Sequence, residues 1–466
     1  MNEALWTSAE VSEATGGLAD GSFAATGVTF DSREVKPGDL FVALKGARDG
    51  HGFVGQAFEK GAAGVLVSEP VTGGPFVLVS DTLDGLVALG GYARDRAPQT
   101  RRGAVTGSVG KTSVTQAIRA GLALAGSAHS SVKSFNNHIG VPLTLARMPR
   151  DTERAVFEIG MNHADEIAPL SRMVQPHAVC VTTVGPVHIE NFPDGEEGVA
   201  RAKAEIFEGL GPGGVAVLNG DNVWFDLLKH AALERGARIA VFGTDESADA
   251  CLLAFESEGE GARVRARIWG ETHSFELAQS GLHWGLNSMA VLLMLDALDV
   301  PMETGLVALS AFQPLEGRGQ VRTVRLPGGG AFTLVDESYN ANPLSMRAGF
   351  MSLAAREPGE GGRRIVALTD MLELGEDSQR LHAGLADFIE AARLDQVFTA
   401  GPAMRWLHKA LPESRRGAWA EDADTLIPIV TGAVRDGDIV MVKGSNGSRA
   451  SKVAKALAGM GPGGDA

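Results

Sequence analysis

The sequence predicts an α/β protein of three domains: a mixed α/β N-terminal domain, a central parallel-sheet domain carrying a P-loop, and a C-terminal Rossmann-like domain. Three observations predict it. Apolar strand-like runs alternate with helical patterns from about residue 99 onward, as in parallel sheets covered on both faces. A polar, turn-rich stretch, Gln313-Pro314-Leu315-Glu316-Gly317-Arg318-Gly319, interrupts that alternation, which then restarts. The residues ahead of 99 form strands and turns of a different kind. The domains are therefore placed at 1–98, 99–313 and 314–466. A chain of 466 residues also exceeds what one core supports.

The balance of residues narrows the function. Apolar content of 44% and charged content of 21% belong to an ordinary globular protein. A net charge of −15 with no long basic run argues against a nucleic-acid partner. The same charge means that a phosphate ligand is bound against the mean field, so local cations and backbone N–H groups must overcome it. There is no basic-plus-apolar leader and no apolar run of about 18 residues. A soluble, cytoplasmic protein without membrane insertion is expected. Cys180 and Cys251 lie far apart in apolar surroundings and read as buried free thiols of a reducing compartment.

In the first domain, Val28–Arg33 and Leu40–Leu44 read as strands, followed by a helix at Val54–Lys60 and a strand at Gly64–Ser68. Ser32, Arg33, Lys45 and His51 are the polar residues at strand ends here, and Gly46 follows Lys45 in the loop. Those polar groups suit a diphosphate or a sugar. Turn chemistry with solvated charges is the plainer explanation of the same residues, since Gly and Asp at turns are commonplace.

The central domain opens on the strongest motif. Ala104 and Val105 end a predicted strand, and a helical pattern runs through Val114–Leu124. Between them stands Thr106-Gly107-Ser108-Val109-Gly110-Lys111-Thr112-Ser113. A glycine-rich turn there frees backbone N–H groups to surround phosphate, and the helix N-terminus adds positive potential. Lys111 is placed to reach β/γ-phosphates and the Thr112 hydroxyl to meet Mg²⁺. The full Walker pattern wants glycine where Val105 stands, so the match is to the shorter T-G-S-x-G-K-T form. Further strands are predicted at Arg154–Ile159, Ala178–Thr183, Val215–Leu218 and Arg238–Phe242. Ligands of such sheets sit beyond the carboxyl ends of the strands. Glu158 ends one strand and His188 shortly follows another, which places both toward the loop as candidate Mg²⁺ ligands; histidine is an unusual Mg²⁺ ligand, so for His188 alone a hydrogen-bonding role is the default. Lys203 looks like a solvated helix lysine on spacing alone. His283 and Asn287 share one face at the start of a predicted helix, Leu286–Leu298, and either meet a flat base or cap the helix.

In the third domain the predicted strands are Phe332–Val335, Arg364–Thr369, Gln396–Ala400 and Ile439–Val442. Polar residues follow them: Asp336 through Asn340 and Asn342, then Asp370–Gly375, then Lys443–Arg449. The last stretch reads either as an anion site or as a turn capping the final helix.

Taken together, these motifs resemble the Mur ligases of bacterial cell-wall synthesis over nearly the whole chain. The carrying residues are Thr106–Ser113, Asn136-Asn137-His138-Ile139-Gly140-Val141-Pro142, Glu158–His163, His188, Ala202–Phe207, Asp336–Asn342 and Asp370–Gly375. The resemblance implies that Thr112, Glu158, His188 and Lys203 hold two Mg²⁺ ions. It also implies that Lys203 is carbamoylated, which turns a cation into an anion. ATP would be bound by the loop from Thr106 to Ser113 with His283, Asn287, Arg318 and Asp336. Lys111, Lys203, His188 and Glu158 would be catalytic. Ser32, Arg33, Lys45, Gly46, His51, Asn136, Asn137, Asn340 and Asn342 would meet the substrates.

Asp-Asn-Pro-Arg, found in relatives that add the third residue, is absent. That steers the choice toward the member that joins D-alanyl-D-alanine to a UDP-N-acetylmuramoyl-tripeptide through an acyl phosphate. A monomer is expected. Trp284 stands where many relatives have Asn, and either stacks on the base or belongs to the core. Another amide ligase of the family, or a nucleotide switch of a different class, is the alternative reading of the sequence.

Overall fold

The computed structural model describes residues 4–132, 134–258 and 261–461. Three main sheets divide the chain. The first holds β1 (Leu18–Asp20), β2 (Gly27–Thr29), β3 (Asp39–Val42), β4 (Gly64–Val67) and β5 (Phe76–Leu78) in the order β1-β5-β4-β3-β2. Only β1 runs antiparallel to its neighbour. Helix α1 (Thr82–Asp95) leads out of this lobe.

The second sheet holds β6 (Arg101–Thr106), β7 (Ala128–Ser130), β8 (Arg154–Glu158), β9 (Ala178–Val181), β10 (Val215–Asn219) and β11 (Arg238–Gly243). Helices α2 (Lys111–Ala125), α3 (Gly140–Ala146), α4 (Ile167–Val174) and α5 (Glu196–Ala204) are interleaved with them. Short apolar runs such as Ala178–Val181 are buried along their whole length, as strands covered on both faces must be.

The sheet then continues in a way the β–α pattern did not predict. Strands β12 (Ala250–Glu258), β13 (Gly261–Ile268) and β14 (Glu271–Leu277) extend it, with β13 antiparallel to both its neighbours. The full order is β14-β13-β12-β11-β10-β9-β6-β8-β7. The cause is local: Ala262, Val264, Ala266 and Ile268 are buried while Arg263 and Arg265 are exposed. That is a period of two, not of a helix. Trp269 and Gly270 take φ of 50° and 88°, the pair of positive angles that a tight type I′ hairpin needs. Helix α6 (His283–Ala297) follows; from Ser288 to Leu295 it is buried all round and forms the core on one sheet face.

The third sheet holds β15 (Gln320–Arg325), β16 (Ala331–Glu337), β17 (Arg364–Thr369), β18 (Gln396–Ala400), β19 (Arg416–Ala420) and β20 (Ile439–Lys443) in the order β15-β16-β20-β17-β18-β19. Only β15 is antiparallel. Helix α7 (Pro343–Ala354) starts at Asn342, whose side chain accepts from Ser345 N.

The lobes are joined through named contacts. Trp6 Nε1 donates to Ala146 O at 2.8 Å, and Arg147 Nε donates to Val28 O at 2.6 Å. Phe30 packs edge-on to Phe135 at 6.2 Å. On the other side, Tyr339 Oη lies 2.7 Å from Ser134 Oγ, and Arg318 Nη2 donates to Thr112 Oγ1 at 3.0 Å. Cys180 and Cys251 are both buried free thiols, as expected. Among the described residues no helix is long and apolar enough to cross a membrane.

Candidate active site

Strand β6 ends and α2 begins around the predicted phosphate loop. Gly107 has φ 146° and Gly110 has φ 89°, both in the left-handed region. A Cβ on Gly107 would stand 2.0 Å from Thr182 Oγ1, so only glycine fits there. The loop is pinned to the segment after β9. Ser108 Oγ donates to Gly185 O at 3.0 Å, and Thr182 Oγ1 donates to Val109 O at 2.6 Å. No side chain caps α2 at Gly110, so its first N–H groups remain open to an anion.

A cleft of about 450 Å³ lies over this loop, walled by the central and C-terminal lobes. Ser108, Val109, Gly110, Lys111, Thr112 and Ser113 line it, as do Glu158 and His188. Asn136, Asn137, His283, Asn287, Arg318, Asn340 and Asn342 are also in its wall. Trp284 lines it too, yet is only 3% exposed and packs on Phe312.

Lys111 Nζ donates to Gly107 O at 2.7 Å. Burial lowers the pKa of this amine, Arg318 adds to that, and Glu158 opposes it. Glu158 is buried at 1% exposure. Its Oε1 accepts from Asn136 Nδ2 at 2.7 Å, while its Oε2 has no hydrogen-bond partner. A buried carboxylate oxygen left open costs energy, and it is the donor type a hard divalent cation takes.

His188 sits at φ 53° on the turn after β9. Burial, with Lys111 and Lys203 nearby, pushes its pKa down to about 4, so the ring is neutral at neutral pH. Its Nδ1 approaches Glu373 Oε2 at 2.7 Å without hydrogen-bond alignment.

Lys203 departs from the solvated lysine that its spacing suggested. It is 2% exposed, beside buried Val199, Ala200 and Ala202 on α5. Burial, then the charge of Lys111, lowers its pKa well below the usual lysine range. It does not line the cleft but lies close enough for its charge to act on Lys111 and His188. Glu205, two residues on, accepts from Asp165 N, Ile167 N and Ala168 N and caps α4.

Other predicted residues fall elsewhere. Asp336 accepts from Ser338 N at 3.0 Å in a turn, and its neighbour Glu337 lines the cleft instead. Asn137 accepts from Gly140 N at 2.9 Å and caps α3, besides lining the cleft. Thr106 and Gly107 underlie the loop without facing the cavity. Ser32, Arg33, Lys45, Gly46 and His51 cluster beyond β2 and β3 in the N-terminal lobe, outside the cleft. There Arg33 pairs with Asp31 at 2.6 Å, and His51 Nε2 accepts from Ser68 N at 2.9 Å.

The structure gives contacts to residues that the sequence left ambiguous, Lys443 and Glu337, and adds two that it did not single out, Ser134 and Glu166. Lys443 Nζ contacts Glu337 Oε2 at 3.1 Å and Asn340 O at 3.2 Å. Burial alone would raise the Glu337 pKa, but Lys443 and then His283 hold it below the usual range. Arg318 stacks on Tyr339, its guanidinium 3.8 Å from the ring centre. Ser134 and Glu166 complete the wall.

Three family models match. The Mur ligase middle domain covers 105–295, the Mur ligase glutamate ligase domain covers 317–446, and the Mur ligase family catalytic domain covers 24–81. The chain belongs to the Mur ligase family. A relative from Rickettsia prowazekii, named UDP-N-acetylmuramoyl-tripeptide--D-alanyl-D-alanine ligase, is 31% identical, covering 96% of this chain and 99% of its own. One of the same name from Bacillus subtilis is 33% identical, covering 92% and 93%. The solved structure of MurF from Acinetobacter baumannii superposes with a TM-score of 0.86 at 26% identity, covering 97% and 98%. Mur ligases are ATP-dependent enzymes that form C–N bonds, and the α/β, three-lobe architecture expected from the sequence is the one observed.

Proposed function

We propose that this Mur ligase joins D-alanyl-D-alanine to UDP-N-acetylmuramoyl-tripeptide in peptidoglycan synthesis, with ATP as the energy source. The full-length relatives carry that activity in their names. One observation carries the mechanistic reading. An open helix N-terminus, a buried carboxylate oxygen without a partner and a neutral imidazole converge beyond three adjacent parallel strands.

A carboxylate does not react with an amine, because its oxygen leaves poorly. The terminal carboxylate of the tripeptide attacks the γ-phosphorus of ATP, the bond to the bridging oxygen breaks, and ADP departs. The dipeptide amine then attacks the acyl phosphate, forms the C–N bond and expels phosphate. The loop N–H groups bind the phosphates, and Lys111 moves from Gly107 O to the β/γ-oxygens. Charge gathers on the transferring group, so positioning and electrostatic stabilisation dominate. In a chain of net charge −15, Lys111, Arg318 and Lys443 line the cleft as local compensation.

Thr112, Glu158 and His188 fit Mg²⁺, with Lys203 completing the set as a carbamate. When bound, Mg²⁺ neutralises charge on the phosphoryl oxygens. Carbamate formation needs an unprotonated amine. Burial favours that form of Lys203: its nitrogen lone pair attacks CO₂, an N–C bond forms, one C=O π pair moves onto oxygen, and a nitrogen proton passes to solvent, leaving the carbamate anion.

The test is phosphate release with each substrate alone and with both. Release is expected only when UDP-tripeptide and dipeptide are present together, whereas a nucleotide switch would hydrolyse without them. Lys203→Ala is expected to lower kcat by about 10²–10³, the usual loss of one charge-stabilising group. A short carboxylic acid should restore part of it. Full activity in Lys203→Ala discards the carbamate.

A further inference from the structure

A second cavity, of about 370 Å³, lies behind the first, between α1, α3 and α4. Its walls are apolar: Val87 from α1, Pro142 from α3, and Pro169, Leu170 and Met173 from α4. Asn137, Gly160 and Glu166 line both cavities, so the two adjoin across these residues, and Gly160 lies two residues beyond Glu158. Asp165, Glu166 and His138 supply its ionisable groups, and no lysine or arginine among the described residues lines it.

Both acids are held in place. Glu166 Oε2 accepts from Asn162 N at 2.7 Å and from His163 N at 3.3 Å. Burial alone would raise the Glu166 pKa, but those bonds hold it below the usual carboxylate range. Asp165 is at φ 66°, a left-handed angle that a non-glycine residue adopts at a cost. Glu205 fixes it there by accepting from its N–H at 2.7 Å. The Asp165 carboxylate itself has no hydrogen bond or ion pair among the described residues. An exposed carboxylate at a constrained backbone position beside an apolar cavity is arranged for a ligand with an apolar stem and a cationic end.

We propose that this cavity receives the side chain of the third residue of the UDP-tripeptide, with Asp165 facing its distal ammonium. The proposal rests on the ligase reading above. In that reading the reacting carboxylate belongs to the third residue, so its side chain must leave the cleft within a few ångströms of the γ-phosphate. The junction at Asn137 and Gly160 is such an exit. Lysine and diaminopimelate share an apolar methylene stem and a distal ammonium; diaminopimelate carries a carboxylate on the same distal carbon, which must lie away from Asp165 and Glu166. A solved relative from Acinetobacter baumannii, 26% identical, names 2,6-diaminopimelate in its substrate.

The experiment compares kcat/KM for three UDP-tripeptides, ending in diaminopimelate, lysine or norleucine, in the full-length enzyme with ATP, Mg²⁺ and D-alanyl-D-alanine. The wild type is expected to favour either ammonium-bearing substrate over norleucine, and the better of the two identifies the natural third residue. Asp165→Asn is expected to shrink that preference about tenfold, because a hydrogen bond to a charged group is lost while asparagine still tolerates the left-handed angle. Val87→Phe, on the exposed side of α1, is expected to raise KM for the UDP-tripeptide more than for ATP.

An unchanged preference in Asp165→Asn overturns the assignment of the ammonium. An unchanged tripeptide KM in Val87→Phe overturns the placement of the stem. A wild type that turns over none of the three overturns the ligase reading itself, and the proposal with it.

Discussion

Replacing Lys443 with methionine keeps the volume of the side chain and removes its charge. Lys443 is 3% exposed at its side chain, and Glu337, its partner at 3.1 Å, is 19% exposed. The variant leaves that carboxylate without its principal cation in a wall shared by two lobes. Breaking a buried pair from one side costs about 3–5 kcal/mol, and the residual exposure of Glu337 puts this case near 3 kcal/mol. For a lobe of this size each kcal/mol lowers Tm by about 2–4 °C, so a drop of about 6–12 °C is expected.

Differential scanning calorimetry reads the drop directly, and a second variant fixes its cause. Adding Glu337→Gln should recover more than half of the loss, because the unpaired charge is gone. The pH dependence has a definite sign. The Glu337 pKa is lowered in the folded wild type, so its contribution is present above the ordinary carboxylate range and is lost as pH falls through the folded value. In Lys443→Met the burial of the carboxylate acts with less opposition, so mild acid should restore stability rather than remove it. A Tm shift below 2 °C, or a double variant no better than the single, refutes this reasoning.

Two further outcomes are expected. A histidine titration followed by NMR should give His188 a midpoint near 4, so the stability from its neutral ring is kept at neutral pH and lost as pH falls from 6.5 toward 4; a midpoint of 6 or above contradicts the burial argument. Tyr339→Phe removes the contact with Ser134 but keeps the stacking of Arg318, so it should cost about 1 kcal/mol and raise KM for ATP about fivefold. Tyr339→Ala removes both and should cost more; equal, wild-type behaviour of the two variants shows that the bridge between lobes is idle.

The sequence was legible where one local rule decided the outcome. Arg364–Thr369 and Gln396–Ala400 are strands over the residues read from their apolar runs. The phosphate loop follows from glycine conformation and strand–helix order, both local. The three-stranded extension was missed although its signal stood in the chain, since Ala262 to Ile268 alternates with period two. Its strands follow one another with no helix between them, so it lies outside the β–α alternation. Strand β15 is different: Gln320, Arg322, Thr323 and Arg325 leave no apolar run, and the antiparallel partner β16 decides its conformation.

Lys203 shows the limit most clearly. Helical spacing says which residues share a face, not what covers that face. Only the packing of α5 into the core of the central lobe, where Val199, Ala200 and Ala202 join Val179 and Val181, turns an ordinary lysine into a buried amine. Glu337, Ser134 and Glu166 join the cleft walls through tertiary placement that no spacing encodes.

The stretch from Ser134 to Asn137 touches every part of the molecule. Phe135 meets Phe30 of the first lobe, Ser134 meets Tyr339 of the third, and Asn136 holds Glu158 of the second. Those residues therefore work as a universal joint. Each lobe is thereby linked to the carboxylate at the reaction centre through one or two side chains of this stretch. It also follows that this tetrapeptide answers to three neighbours at once, so a substitution tuned to please one of them is felt by the other two.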